Sequence, residues 1–529
     1  MTDAAETIAQ GYATSEPAVH LGAVVVDGVA HPDAPVLLPL AMLNRHGLVA
    51  GATGTGKTKT LQLIAEQLSA AGVPAFLADM KGDLSGLAAP GQAGEKVTRR
   101  ATEVGATNWA PAGTPVEFLT LGDDDRGARV RATVTSFGPV LLSKVLGLND
   151  VQSSSLGLVF HYADQAGLPL LDLKDLRAVI QHLTSDEGAD ELRDLGGLSR
   201  STAGVLLREL VGFADSGADR FFGEPEFDSA DLLRTTPDGH GMVTVLELAG
   251  VQDQPALFST FLLWLLADLH HDLPEVGDLD RPKLVFFFDE AHLLFRDASK
   301  DFLDSVAQTV RLIRSKGVGI FFVTQLPTDV PADVLAQLGN RVQHALRVFT
   351  PRDAQALSAT VSTFPRTDVY DLEEVLPALG IGEAAVTVLS ESGAPTPVAW
   401  TRLRPPTSLM AQLDPAEQAR QVAASPLSAR YGQEVDRESA YERLLTRVAA
   451  PAAEPSSGPP PSAPAPSTPT PSGPAPRRAP VPERAPVDTV QQVLGSAAFR
   501  AFTRSVGAAV GREITRSLFG TARRRRRSG

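Results

Sequence analysis

The sequence predicts an α/β protein built on a parallel sheet covered by helices, and three observations predict it. A glycine-rich loop stands between a short apolar run and an amphipathic run within residues 46–72. An unbroken apolar stretch, Leu284-Val285-Phe286-Phe287-Phe288, ends in two acids. Around both, strand-like and helix-like periodicities alternate, which is the rhythm of βαβ units.

Taken in chain order, residues 21–40 alternate short apolar runs with Gly, Asp and Pro turn signals, a small β element. HGLVA (46–50) reads as a buried strand, and TKTLQLIAEQLSAAG as a helix ended by Gly72. VPAFLAD (73–79) and VEFLTLG (116–122) are further strands. Residues 136–235 then carry helical periodicity and little strand character, which predicts a helical insertion. Alternation resumes with strands at 241–250, 283–290, 319–325 and 342–349, and a hairpin closes the core at 384–403.

Between Pro451 and Pro486, fourteen of 36 residues are proline, a composition that packs no core and forms an extended linker. Beyond it, apolar residues recur every four positions from Leu494 to Leu518 beside Arg500, Arg504, Arg512 and Arg516, predicting a basic amphipathic helix. The expected division is therefore 1–40, N-terminal β element; 41–135, first part of the core; 136–235, helical insertion; 236–405, second part of the core; 406–450, helical extension; 451–487, linker; 488–529, basic helix with the Arg523–Arg527 tail.

With 529 residues, 43% of them hydrophobic and 21% charged, the chain exceeds one ordinary domain and can bury a sizeable core. Cysteine is absent, which removes disulfides, thiolate nucleophiles and cysteine metal sites. The N-terminus lacks a signal-peptide pattern, and the apolar run Phe258–Leu269 falls short of the ~20 residues that cross a bilayer. A cytoplasmic protein without a transmembrane anchor is expected. The net charge is −14, but residues 488–529 hold nine Arg against Asp488 and Glu513, leaving −21 for the rest. That acidic body excludes a broad DNA-coating surface and leaves room only for a narrow basic channel in an oligomer.

Gly51-Ala52-Thr53-Gly54-Thr55-Gly56-Lys57-Thr58 satisfies G-x-x-x-x-G-K-[ST] in its required setting, after a strand and opening a helix. In such a Walker A loop, backbone N–H groups converge on phosphate oxygens, the lysine neutralises the β and γ phosphates, and the threonine hydroxyl reaches Mg²⁺. Asp289 and Glu290 emerge at the C-terminal end of a buried strand, where open α/β sheets bind ligands. There Asp289 suits a metal-holding Walker B acid and Glu290 the group that activates water.

The string Asp289-Glu290-Ala291-His292 spells the signature of a DEAH-box helicase, but no second helicase lobe with an arginine-bearing motif is evident. His292 reads as a packing residue. Asp79 and Asp83 end the second strand and have two readings, nucleotide contact or turn cap. Gln325 ends the strand after the Walker B strand and suits a γ-phosphate contact, or is a neutral strand end. Arg311, Arg314, Arg341 and Arg347 flank that strand and offer an arginine finger or surface ion pairs.

Together, GATGTGKT, LADMKGDLSG, KLVFFFDEAHLLF, VRLIRSKGVGIFFVTQLP and LGNRVQHALRVFTPRD closely resemble the HerA/FtsK superfamily of P-loop ATPases, and within it the HerA-like branch typified by YjgR. The resemblance runs from about Asn44 to Arg404, and SVGAAVGREITRSLFG near the C-terminus resembles that branch's tail. It implies a RecA-like P-loop NTPase sheet with a strand between the P-loop and Walker B strands, and assembly into a homo-oligomeric ring, usually a hexamer. It also implies ATP and Mg²⁺ as cofactors, with Thr58 and Asp289 at the metal. Nucleotide contact falls to Gly51, Ala52, Thr53, Gly54, Thr55, Gly56, Lys57, Thr58, Lys59 and Asp79. Catalysis falls to Lys57, Glu290 and Gln325, with Arg311 or Arg314 where the family has an arginine before its sensor strand and Arg347 where it has one on the following strand. The expected activity is ATP hydrolysis coupled to DNA translocation or unwinding. The alternative is a nucleotide-switched scaffold acting on a protein partner.

Overall fold

The computed structural model describes residues 3–449 apart from residues 123, 278, 297 and 299. The linker at 451–487 and the basic helix at 488–529 expected above lie outside the described residues. The strands are β1 (Ala18–Val26), β2 (Val29–Pro39), β3 (Gly47–Ala50), β4 (Ala75–Asp79), β5 (Val116–Thr120), β6 (Ala128–Arg129), β7 (Val243–Glu247), β8 (Leu284–Phe288), β9 (Val318–Thr324), β10 (Asn340–His344), β11 (Glu383–Thr387) and β12 (Ala399–Leu403). They form one sheet in the order β2-β1-β12-β11-β10-β3-β9-β8-β4-β7-β5-β6. From β10 to β6 every neighbouring pair is parallel. The closing hairpin β11–β12 and the N-terminal hairpin β1–β2 continue the sheet with antiparallel pairs.

Parallel strands covered on both faces must be apolar throughout, and every residue of β8 and β9 is buried. Alternation assigns their side chains to two cores. Leu284, Phe286 and Phe288 join Phe76, Phe322 and the helical insertion on one face. Val285 and Phe287 join Leu61, Ile64 and Leu68 of the helix Lys57–Ala70 on the other.

The insertion contributes the helices Val134–Val145, Asp150–Gln165, Leu173–Thr184 and Arg200–Asp215. Each starts on a capping side chain, from Thr133, Asn149, Asp172 and Ser199 respectively. The group docks on the helix Pro255–Asp272 through edge-to-face contacts of Phe221 with Phe261 and Trp264.

Two elements differ from the sequence reading. The first region also holds a helix, Asp3–Tyr12, whose Ala5, Ile8 and Tyr12 are buried at helical spacing, with the Tyr12 hydroxyl donating to the Val386 carbonyl at 2.8 Å. Strand β10 ends at His344 rather than residue 349, because Leu346 N–H turns to the Leu376 carbonyl and leaves Phe349 85% exposed. The extension after residue 405 is a strap with three short helices, Pro415–Ala424, Pro426–Tyr431 and Ala440–Ala449.

This strap is fixed to the core by the Glu66 carboxylate, which accepts from Thr407 N (2.9 Å), Ser408 N (3.2 Å) and Ser408 Oγ (3.2 Å). It is fixed to the insertion region by Arg437, whose guanidinium donates twice to Glu224 at 2.6 and 2.7 Å, and by Tyr441 N donating to Asp175 at 2.9 Å. Among the described residues no helix is long and apolar enough to cross a membrane.

Candidate functional site

Because β3, β9, β8, β4 and β7 run parallel, their C-terminal ends form one edge. The register sets Ala50 against Thr324, Phe288 against Phe322 and Asp79 against Glu247. The loop Gly51–Gly56 is slung across this edge. Gly51 N–H donates to the carbonyls of Thr324 (3.2 Å) and Gln325 (3.1 Å), and Ala52 N–H to that of Ala345 (2.9 Å). Glycine is required at 51, since φ is +149° and a Cβ would stand 2.5 Å from Cβ of His344. At Gly56 φ is +117° as the chain enters the helix.

Lys57, the first helical residue, is buried, and its Nζ donates to the carbonyls of Gly51 (2.6 Å) and Ala52 (3.2 Å). Burial lowers its pKa, opposed by the negative charges of Glu290 and Asp289, which puts both acids within electrostatic reach of the loop lysine. Thr58 follows it in the first turn, half-buried.

Asp289 is 2% exposed. One carboxylate oxygen accepts from Glu290 N–H at 2.9 Å and the other has no partner. Burial, and after it the charge of Glu290, push its pKa up to about 7. A buried, unpartnered carboxylate oxygen within electrostatic reach of the loop lysine fits Mg²⁺, which takes one or two protein oxygens and completes its shell with water and phosphate.

Glu290 adopts φ +47°, a left-handed conformation that a non-glycine residue occupies only under constraint from its neighbours. The constraint here is Ala291 N–H donating to the Val323 carbonyl (2.8 Å) and Leu293 N–H to the Glu290 carbonyl (2.8 Å). Glu290 Oε1 forms an ion pair with Lys81 Nζ, and Oε2 lies 3.2 Å from His292 Nδ1. Burial works against the Lys81 charge, but the Glu290 hydrogen bond and the charge of Asp289 outweigh it and hold its pKa above the ordinary value.

The Asp79 reading resolves towards the cap. One oxygen accepts from Lys81 N (3.0 Å) and Gly82 N (2.8 Å), the other from Leu84 N (2.7 Å), so both serve the turn instead of a nucleotide. Lys59 is half-buried and faces the charges of Asp83 and Asp79, on the side of that turn. Gln325 anchors Gly51 through its carbonyl and leaves its side chain exposed at the edge.

The arginines separate by topology. Arg347 is exposed three residues beyond the end of β10, on the loop side of the sheet. Arg311 and Arg314 instead precede β9, with Arg314 beside His46 at the opposite edge. The seven residues of β9 put them roughly 20 Å from the loop of their own subunit. Arg341 donates to the Thr363 carbonyl at 3.0 Å, a structural contact.

Sequence reasoning missed two residues here. Lys81 was visible only as part of the turn after β4. His344 lies at the end of β10 under the loop, its Nε2 2.9 Å from Thr60 Oγ1, and burial pushes its pKa down to about 4, so the ring is neutral near pH 7. A histidine closing a strand next to the P-loop strand was its only signal.

A family model described as helicase HerA-like C-terminal matches residues 26–527, nearly the whole chain. The chain belongs to the HerA-like helicase family. It is accordingly a P-loop ATPase of the HerA/FtsK superfamily, and its sheet has the expected strand, β9, between the P-loop strand β3 and the Walker B strand β8.

Among curated proteins, this HerA-like chain is 29% identical over 154 residues to the probable helicase MJECL08 of Methanocaldococcus jannaschii. The match covers 27% of the chain and 28% of that relative, so it spans well under a third of either protein. Among solved structures, the bacterial conjugative coupling protein TrwBdeltaN70 in its trigonal form is 17% identical with a TM-score of 0.50, over 77% of this chain and 94% of that one. Its unbound monoclinic form is 18% identical with a TM-score of 0.51, over 78% and 94%. At this identity the likeness is one of fold.

Proposed function

We propose that this HerA-like protein binds ATP with Mg²⁺ at the Gly51–Thr58 loop and hydrolyses it to move DNA, working in the cytoplasm as a ring of its own copies. The observation that carries the reading is the meeting of Lys57, Thr58, Asp289 and Glu290 at one sheet edge, with Gln325 on the strand between. The loop N–H groups and Lys57 bind phosphate. Thr58 and Asp289 hold the metal, which when bound neutralises charge on the phosphate oxygens. Glu290 takes the proton of the attacking water, and Gln325 orients that water.

The placement of the arginines supports a ring. Arg311 and Arg314 stand at the edge away from their own loop, so they serve a nucleotide only from a neighbouring subunit. Mixed oligomers of an Arg311→Ala, Arg314→Ala subunit and a Glu290→Gln subunit are expected to regain part of the activity each lacks alone. Absence of rescue in verified mixtures counts against a shared site.

The choice of DNA rests on family membership and on the archaeal relative's name, probable helicase. Its test is steady-state ATP hydrolysis with and without single- and double-stranded DNA across a salt series, with Lys57→Ala as control. Stimulation that fades with salt is expected, because phosphate contacts release counterions. Lys57-dependent hydrolysis indifferent to DNA would replace the motor with a nucleotide-switched scaffold. In that case removing residues 451–529 should alter partner capture and leave turnover intact.

A further inference from the structure

The Lys81–Glu290 pair ties the group assigned to activate water to a lysine outside the Gly51–Thr58 loop. We infer that Lys81 is a latch on Glu290, a positioning residue that restrains the carboxylate in the resting enzyme and lets go when a phosphate anion at the sheet edge competes for its ammonium. The inference rests on the ATPase reading above and deepens it.

Three observations support it. The mount is rigid: Asp79 fixes the turn through three backbone N–H groups, and the Gln252 side-chain amide holds the Met80 carbonyl. The restrained group is boxed in, since the Glu290 side chain is 8% exposed, one oxygen pairs with Lys81 and the other lies against His292. Lys81, by contrast, is 43% exposed on a flexible stem, so solvent-borne phosphate can reach it. The grip is thus firm on the glutamate side and open on the lysine side.

The test compares kcat and KM for ATP of wild type, Lys81→Met and Lys81→Arg, without and with DNA. Without DNA, Lys81→Met should raise kcat about fivefold, as expected for loss of one coupled charge pair, with KM within about twofold. Lys81→Arg should stay near wild type. In a Glu290→Gln background, Lys81→Met should change nothing. Wild-type affinity of Lys81→Met for a fluorescent ATP analogue checks that the site is folded.

A DNA stimulation factor that shrinks by the same fivefold assigns the displacing phosphate to the polymer, and an unchanged factor overturns release of the latch by DNA. A fall in kcat overturns the latch by making Lys81 a productive partner of Glu290. An unchanged kcat overturns it by reducing the pair to a surface contact. If wild type shows no Lys57-dependent hydrolysis, the ATPase reading fails instead; equal stability of wild type and Lys81→Met in a thermal melt would then remove the latch as well.

Discussion

Glu290→Gln is expected to bind ATP as wild type does and to hydrolyse it about 10² to 10⁴ times more slowly, the usual contribution of a general base. Glutamine keeps the size and the backbone preference of glutamate, so the left-handed bend at φ +47° and the hydrogen bonds around it persist. What goes is the negative charge and the proton-accepting oxygen. The Asp289 carboxylate also loses a like-charged neighbour that helps to push its pKa up, so Asp289 should ionise more readily. Equilibrium binding and single-turnover hydrolysis, measured together, separate the two effects. Turnover at the wild-type rate would remove Glu290 from the chemistry.

Lys57→Ala should fail at an earlier step, with nucleotide affinity down at least about 100-fold, since each charge-assisted hydrogen bond to phosphate contributes about 1.5–3 kcal/mol. In the wild-type structure the same ammonium bridges Gly51 and Ala52, so it also braces the loop from within. The surrounding anchors, Gly51 to Thr324 and Ala52 to Ala345, do not involve the side chain and keep the loop in place. Circular dichroism should therefore match wild type while titration calorimetry shows no measurable binding. Retained affinity would mean that phosphate is held by the backbone alone.

These two residues were legible in the sequence because the chemistry of each is written in a few contiguous positions. Eight residues spell the phosphate loop, and five apolar residues followed by two acids spell a buried strand with its functional end. Lys81 was not legible in the same way. It meets Glu290 from 209 residues away, and only because β4 lies next to β8 in the sheet. Strand order is decided by how crossovers pack, which local periodicity does not record.

Asp79 shows the complementary limit. Its position at a strand end suits a ligand contact and a turn cap equally, and only the three N–H groups around it decide. The short β10 has a similar cause, since 345–349 is apolar enough for a strand, but Leu346 bonds elsewhere. The helix Asp3–Tyr12 escaped because its buried positions, Ala5, Ile8 and Tyr12, are few.

The strap after residue 405 changes how the chain can be cut. By sequence, the core ends near residue 405 and a helical extension follows. Truncation there would strip the donors from the buried Glu66 carboxylate and from one oxygen of the buried Asp175, along with the Ser425 hydroxyl held by Glu117. Buried carboxylates without donors are costly, so such a fragment should express poorly or aggregate, and its inactivity would be misread as loss of a catalytic part. Engineering of this protein, whether to attach a label or to shorten the chain, therefore has to spare the strap through residue 449.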